Sequence, residues 1–215
     1  MKTVIVLVRR AVAFELTQYR SLFRWILRRP DVPSDAVAFS YIGAVATLLW
    51  AFIAVSAVEL VVLHVLLPWE TVRVIADVLS IWGLVWMIGF MASFRVHPHL
   101  VSEYGLRVRH GAATDITVPW DVIATVGLRE RSRDKSRALQ LDRREEGAVL
   151  NVVIGSRTNV ILTLHHPLAV ALPTGEESVT ELRLYADDAR GLVSRVRGRP
   201  APRRELSDRD NIERM

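Results

Sequence analysis

Apolar residues crowd two stretches of the chain. Residues 36 to 67 carry Glu59 as their only formal charge, and residues 74 to 94 carry only Asp77. Each stretch reaches the roughly 20 apolar residues that cross a bilayer as a helix. The pattern therefore predicts two membrane spans, at about residues 38–66 and 74–94, joined by a turn at Pro68 and Trp69. As one helix the first stretch would be about 48 Å long, more than the bilayer core, which puts Glu59 and His64 towards the far interface.

Upstream, residues 11 to 29 contain neither proline nor glycine. At about 100° per residue, Leu16, Tyr19, Leu22, Phe23 and Ile26 share one arc beside a stripe of Arg20, Arg24 and Arg28. This is the pattern of a helix lying at a membrane interface, its arginines turned to anionic headgroups at about 1 kcal/mol each. A helix packed on the C-terminal region is the competing reading. Pro30 and Pro33 end the segment, and Ser34 is placed to cap the first span.

From Leu100 onward the period drops to two. Leu106, Val108 and His110 alternate with Arg107 and Arg109, Ile116 and Val118 with Asp115 and Thr117, and Val160, Leu162 and Leu164 with Ile161 and Thr163. Such runs are strands of a largely antiparallel sheet, punctuated by Gly105, Gly111, Gly127, Gly147, Gly155 and Pro173-Thr174-Gly175. Ala189, Leu192, Val193 and Val196 then follow at helical spacing, opened by Asp187 and Asp188, whose charges suit a helix N-terminus. The expectation is an α+β membrane protein with four parts. These are a basic N-terminal helix and linker (1–33), a transmembrane hairpin (34–95), an antiparallel β-barrel or sandwich capped by a C-terminal helix (96–198), and a disordered tail (199–215) rich in Pro, Arg, Asp and Glu.

Charge sets the expected orientation. The first 30 residues hold seven basic side chains (Lys2, Arg9, Arg10, Arg20, Arg24, Arg28 and Arg29) against Glu15, whereas the connection between the spans is short and holds Glu70 and Arg73. The positive-inside rule places the N-terminus in the cytoplasm, and the hairpin returns the chain to the same side. The location expected is the cell membrane, multi-pass, with both termini cytoplasmic. The apolar run Val4 to Val8 is cut short by Arg9 and Arg10 with no small-residue cleavage site after it, so it reads as retained rather than as a signal peptide.

The absence of cysteine removes thiolate chemistry and disulfides. His97, His99, His110, His165 and His166 form no spaced ligand motif, so no metal or cofactor is expected. Neither a G-x-S-x-G elbow nor a phosphate-binding loop occurs. Within the spans, Gly43, Thr47 and Ala51 form a small-residue stripe, and Gly83 and Gly89 stand among Trp82 and Trp86. Packing inside the hairpin is the first reading of these stripes and self-association the second.

Two constellations carry candidate chemistry. The hairpin brings Glu59 and Asp77 to similar depth, with His64 near and Arg73 one turn before Asp77. The expected reading is a partly hydrated charge cluster, with a proton or ion site as the alternative. Arg129, Arg131, Arg133, Lys135 and Arg137 alternate strictly, so that an extended hairpin would show all five on one face. That face could meet anionic headgroups or an acidic protein. Interspersed acids make a solvated loop the rival reading, and the missing aromatics together with the membrane tether exclude nucleic acid.

The run Tyr104-Gly105-Leu106-Arg107-Val108-Arg109-His110-Gly111, followed by Ile116-Thr117-Val118-Pro119-Trp120-Asp121-Val122-Ile123, resembles the opening strands of bacterial pleckstrin-homology-like domains. Residues 34 to 198 as a whole, including Val179 to Asp188, are similar to a group of two-span bacterial membrane proteins with such a domain on the cytoplasmic side. The resemblance implies a β-rich module that binds or scaffolds, and it transfers no catalytic residue. The function expected is therefore a non-enzymatic, membrane-anchored binding module. Its partners would be the bilayer, anionic headgroups or a protein, a second copy included. A membrane enzyme or transporter component using the intramembrane acids is the alternative.

Overall fold

The computed structural model describes residues 15–132, 137–144, 147–172 and 175–199. Residues 15–26 are helical (α1). They lead to a short strand β1 (Val37–Phe39) and then to two long helices, α2 (Gly43–Leu66) and α3 (Glu70–Val96). Strands β2 (His99–Val101), β3 (Gly105–His110) and β4 (Thr114–Pro119) follow, and a 3-10 turn at Trp120–Val122 leads to β5 (Ile123–Ser132). The chain continues with β6 (Leu139–Arg144), β7 (Gly147–Val152), β8 (Arg157–Leu172), β9 (Gly175–Leu184) and helix α4 (Ala189–Arg197).

Helices α2 and α3 are long and apolar enough to cross a membrane. Their outward surfaces are apolar: Val55, Val58 and Val65 are 63%, 63% and 74% exposed, and Ile53 is the one buried residue of α2. The first apolar stretch is not helical from its start. Residues 37–39 form a strand paired antiparallel with β2, Val37 opposite Val101 and Phe39 opposite His99. An apolar run alone does not separate strand from helix, and here the partner strand decides. Helix α2 begins at Gly43, with Ile42 rather than Ser34 at its N-cap, and its 24 residues span about 36 Å. The hairpin is thus spliced between two neighbouring strands, and the β-domain includes residues 37–39 as well as the strands from His99 onward.

Nine strands form two sheets among the described residues. Sheet A has the order β1-β2-β3-β4 and sheet B the order β5-β8-β9-β7-β6. Strand β7 runs parallel to β9 and the other pairs are antiparallel, so sheet B is mixed. The period-two pattern fills one core between the sheets. Leu106, Val108 and Val118 from sheet A and Val160, Leu162, Leu182 and Leu184 from sheet B are all fully buried, and α4 adds Leu192, Val193 and Val196. Burial of each such side chain contributes about 1.5–3 kcal/mol. Asp188 caps α4 by accepting the Gly191 N–H at 2.8 Å. The tail from residue 200 lies outside the described residues.

A second apolar cluster joins the helices to the β-domain. Tyr41, Ile42, Ile53, Met91, Phe94 and Ile154 are buried in it, with Trp25 packed alongside. Helix α1 joins here too, and its exposed and buried faces are reversed from those of a helix in water. Gln18 and Ser21 are buried, whereas Leu16, Phe23 and Ile26 are 58%, 63% and 65% exposed. Close approach to α3 is made possible by Gly89, where an added Cβ would stand 3.2 Å from the Gln18 carbonyl oxygen. The Trp82 indole N–H donates to the Tyr19 hydroxyl at 3.0 Å, and the Arg95 guanidinium lies 5.8 Å over the Trp25 ring. The arc of Leu16, Phe23 and Ile26 is therefore left bare beside the bare surfaces of α2 and α3.

Candidate functional site

Side-chain hydrogen bonds join the hairpin to the β-domain at several points. Tyr41 is fully buried; its hydroxyl donates to the His97 carbonyl at 2.9 Å and accepts the Gly111 N–H at 2.7 Å. Gly111 sits at φ +55°, a left-handed conformation that costs glycine little. The Tyr41 ring stacks on His99 with centroids 4.4 Å apart. His99 donates from Nε2 to the Tyr185 carbonyl at 3.0 Å and accepts the Arg109 N–H at Nδ1, also at 3.0 Å, which sets its neutral tautomer. Burial pushes its pKa down from 6.5 to about 4, against the opposing pull of the Tyr185 carbonyl. Burial likewise pushes the Tyr41 hydroxyl up and His110 down.

Two further contacts clamp the helix ends. Asp187 accepts the Gly43 N–H at 2.9 Å and donates its own N–H to the Ser40 carbonyl at 2.8 Å. It thereby caps α2 from the far end of the sequence, although its position beside Asp188 had placed it on α4. The Ser93 hydroxyl of α3 accepts the Ala112 N–H at 3.0 Å. Arg109, which strand alternation with Leu106 and Val108 would turn to solvent, is only 2% exposed. It donates to the Asp31 carbonyl at 2.8 Å and pairs with the Asp31 and Asp115 carboxylates, while Arg24 holds Asp31 at 2.9 Å and Arg107 holds Asp115. Arg24 is thus committed to an ion pair, whereas Arg20 and Arg28 are exposed.

The strands that flank the expected cationic face, β5 and β6, do not form a hairpin with each other. Strands β5 and β6 lie at opposite edges of sheet B, separated by β8, β9 and β7. The two strands are therefore not paired with each other. Arg129 and Arg131 stand on β5, the first exposed and the second half-buried, and Arg137 is exposed before β6. Arg133 and Lys135 lie outside the described residues. Alternation could be read from the sequence; the strand order that separates the two arms could not.

At the turn end of the hairpin, the His64 Nδ1 and Asp77 Oδ2 are 2.8 Å apart. Asp77 Oδ1 is buried without a hydrogen-bond partner. Arg73 is half-buried and forms no ion pair with Asp77, and Glu59 points outward from α2 without an ionic partner, among the described residues. Gly43, Thr47 and Ala51 are all exposed, so their stripe is not what packs α2 on α3. No group of three metal-ligating side chains exists among the described residues. His97 donates to the Ser93 carbonyl at 2.9 Å, and His165 and His166 are exposed.

One open groove, of about 750 Å³, was not anticipated from the sequence. One wall is β1, through Val37 and Phe39; the other is α4 and its flanks. Gly191, Ser194 and Gly198 recur there at helical spacing and keep the wall low, with Asp188 at one end and Arg195 and Arg199 towards the other. Strand β1 is the edge of sheet A, so one side of its backbone has no strand partner among the described residues. Neither Arg195 nor Arg199 is in an ion pair among the described residues, and Arg199 lies 5.6 Å over the Trp120 ring. By contrast Arg197 turns inward, donating to the Val126 carbonyl at 2.8 Å. Comparison of the chain with protein-family models, curated proteins and solved structures finds no match in any of the three.

Proposed function

We propose that this protein is a membrane-anchored, non-enzymatic binding platform: a pleckstrin-homology-like β-domain held at the cytoplasmic face of the cell membrane, recruiting a protein or an anionic lipid. The observation that carries the reading is the splice of the hairpin between β1 and β2, reinforced where Asp187 caps α2 and Tyr41 bridges His97 and Gly111. An enzyme lid or a flexible tether needs freedom, whereas these contacts fix the face that the β-domain presents relative to the bilayer. The two-sheet core closed by α4 supports the pleckstrin-homology-like assignment. The basic N-terminal flank supports the cytoplasmic side.

A second reading rests on the His64–Asp77 contact at 2.8 Å, a pair of titratable groups at hairpin depth that would suit a proton or ion path. Photo-crosslinking in cells separates the two. A crosslinking residue placed at Tyr104, which is 77% exposed on the β-domain, is expected to trap a discrete protein or anionic lipid, unchanged by Glu59→Gln or Asp77→Asn. Cysteines at Thr71 and Ser178 report the side: an impermeant thiol reagent should label 71 and not 178 in intact cells. Absence of any crosslink, together with an ion flux in liposomes that Asp77→Asn removes, favours the second reading.

A further inference from the structure

The groove between β1 and α4 has the dimensions and chemistry of a site for one extended polypeptide. Along α4 it runs from Asp188 to Arg199, about 16 Å at the helical rise, which about five residues of extended chain would fill. One wall is a strand edge whose backbone groups on the open side have no strand partner, the feature to which a further strand adds. The other wall is kept low by Gly191, Ser194 and Gly198, which leaves room for side chains of the added segment.

Charge specifies those side chains. Arg195 and Arg199 line the groove without ionic partners among the described residues, and the Asp188 carboxylate is already engaged in capping α4. Arg199 is moreover positioned by its contact with Trp120. A segment carrying carboxylates would therefore find charge-assisted hydrogen bonds ready at one end of the groove. A lipid headgroup could use the arginines, but it would leave the strand edge and the apolar Val37–Phe39 wall unused.

We propose that this groove binds an extended acidic segment of a partner protein, which adds to sheet A along β1 and places its carboxylates against Arg195 and Arg199. The inference rests on the platform reading and names the partner class and the place. Because Asp188 adjoins Asp187, which caps α2, one end of the groove opens beside the start of the hairpin, and the partner would be captured close to the bilayer.

The test is selection of a random octapeptide library on the full chain in phosphatidylcholine nanodiscs. Enriched peptides are expected to share acidic residues, to bind more weakly as salt rises, and to lose about tenfold or more in affinity against the Arg195→Glu, Arg199→Glu double variant. N-methylating alternate backbone amides of an enriched peptide should cost as much, since that removes strand pairing and leaves the charges. Arg195 is exposed on α4 and Arg199 follows its end, and an unchanged thermal melt of the variant checks that the fold is intact. The proposal is overturned if no peptide is enriched over the double variant, or if N-methylation has no effect. It is overturned equally if short-chain phosphatidylglycerol binds through the two arginines while no peptide does, which would make the groove a headgroup site. In any of these cases the Tyr104 crosslinks still decide the platform reading, because a partner trapped at the β2–β3 turn does not depend on Arg195 or Arg199.

Discussion

Helix α3 follows one rule at its β-domain end and the opposite rule at its turn end. From Gly89 to Val96 it buries six residues, Gly89, Met91, Ala92, Ser93, Phe94 and Val96; before Gly89 it buries none. The bare part, Glu70 to Ile88, is about 28 Å long, close to the roughly 30 Å of a bilayer's hydrocarbon core. The β-domain end is thus built as protein core, and the turn end presents an apolar surface on a helix long enough to cross a membrane. Polar groups divide in the same way. Those at the junction, Tyr41, Ser93, His99 and Arg109, are buried and hydrogen-bonded. At the turn end, among the described residues, Glu59 is exposed without an ionic partner and Asp77 keeps one oxygen without a hydrogen-bond partner. The junction is the more densely bonded of the two, although Gln18 Oε1 and Arg109 Nε there also lack a hydrogen-bond partner among the described residues.

The widest break in this comparison is expected from matched truncations. Met91→Ala, at a fully buried position, should lower the unfolding free energy by about 2–5 kcal/mol. Val58→Ala, at 63% exposure, should change it by less than about 0.5 kcal/mol in detergent micelles. Comparable effects at the two positions would erase the distinction between the ends.

A somewhat smaller effect should appear in the pH dependence, and only at the junction. The folded His99 stays neutral until about pH 4, whereas in the unfolded chain it takes up a proton below 6.5. Between those values the unfolded state binds more protons, so stability is fully present above pH 6.5 and falls as the pH drops, by on the order of 3 kcal/mol in all. His110 adds to the same trend, since its pKa is also lowered. Thermal melts from pH 7.5 to 4.5 should show the decline, and His99→Asn should flatten it while lowering stability at pH 7.5. A flat profile in the unmodified protein would contradict the burial of His99.

The smallest effect belongs to the cap that crosses between the regions. Asp187→Ala removes the side-chain acceptor for the Gly43 N–H and should cost about 1 kcal/mol. Hydrogen exchange is expected to quicken at Gly43 and in the first turn of α2 and to stay unchanged around Leu60. Faster exchange along the whole of α2 would mean that the hairpin depends on the β-domain over its full length.

Much of the layout was legible in the sequence because it follows from periods. The two charge-poor stretches foretold α2 and α3, and the alternation of Val160, Leu162 and Leu164 foretold a strand with one face in the core. Sequence alternation failed at Arg109, which is buried because Asp115, opposite it on β4, and the distant Asp31 converge on it. For the cationic stripe the spacing of five side chains is local but the positions of β5 and β6 are not, and Arg133 and Lys135 lie outside the described residues. The candidate site itself was not legible. Val37 and Phe39 read as the start of a span, and Gly191, Ser194 and Gly198 as unremarkable positions on a short helix.

The sequence by itself determined which segments are apolar all round, which are apolar on one face, and where arginine accumulates, because those properties depend only on composition and on repeats of two or three to four residues. Tertiary structure alone decided that residues 37–39 leave the first apolar stretch to pair with β2, that Asp187 caps α2 rather than α4, and that the edge of sheet A faces α4 across an open groove. Each of these joins residues separated by roughly 60 to 160 positions. At such separations no local period carries a signal, and the pairing is set by which backbone and side-chain groups remain to be satisfied once the two cores have formed.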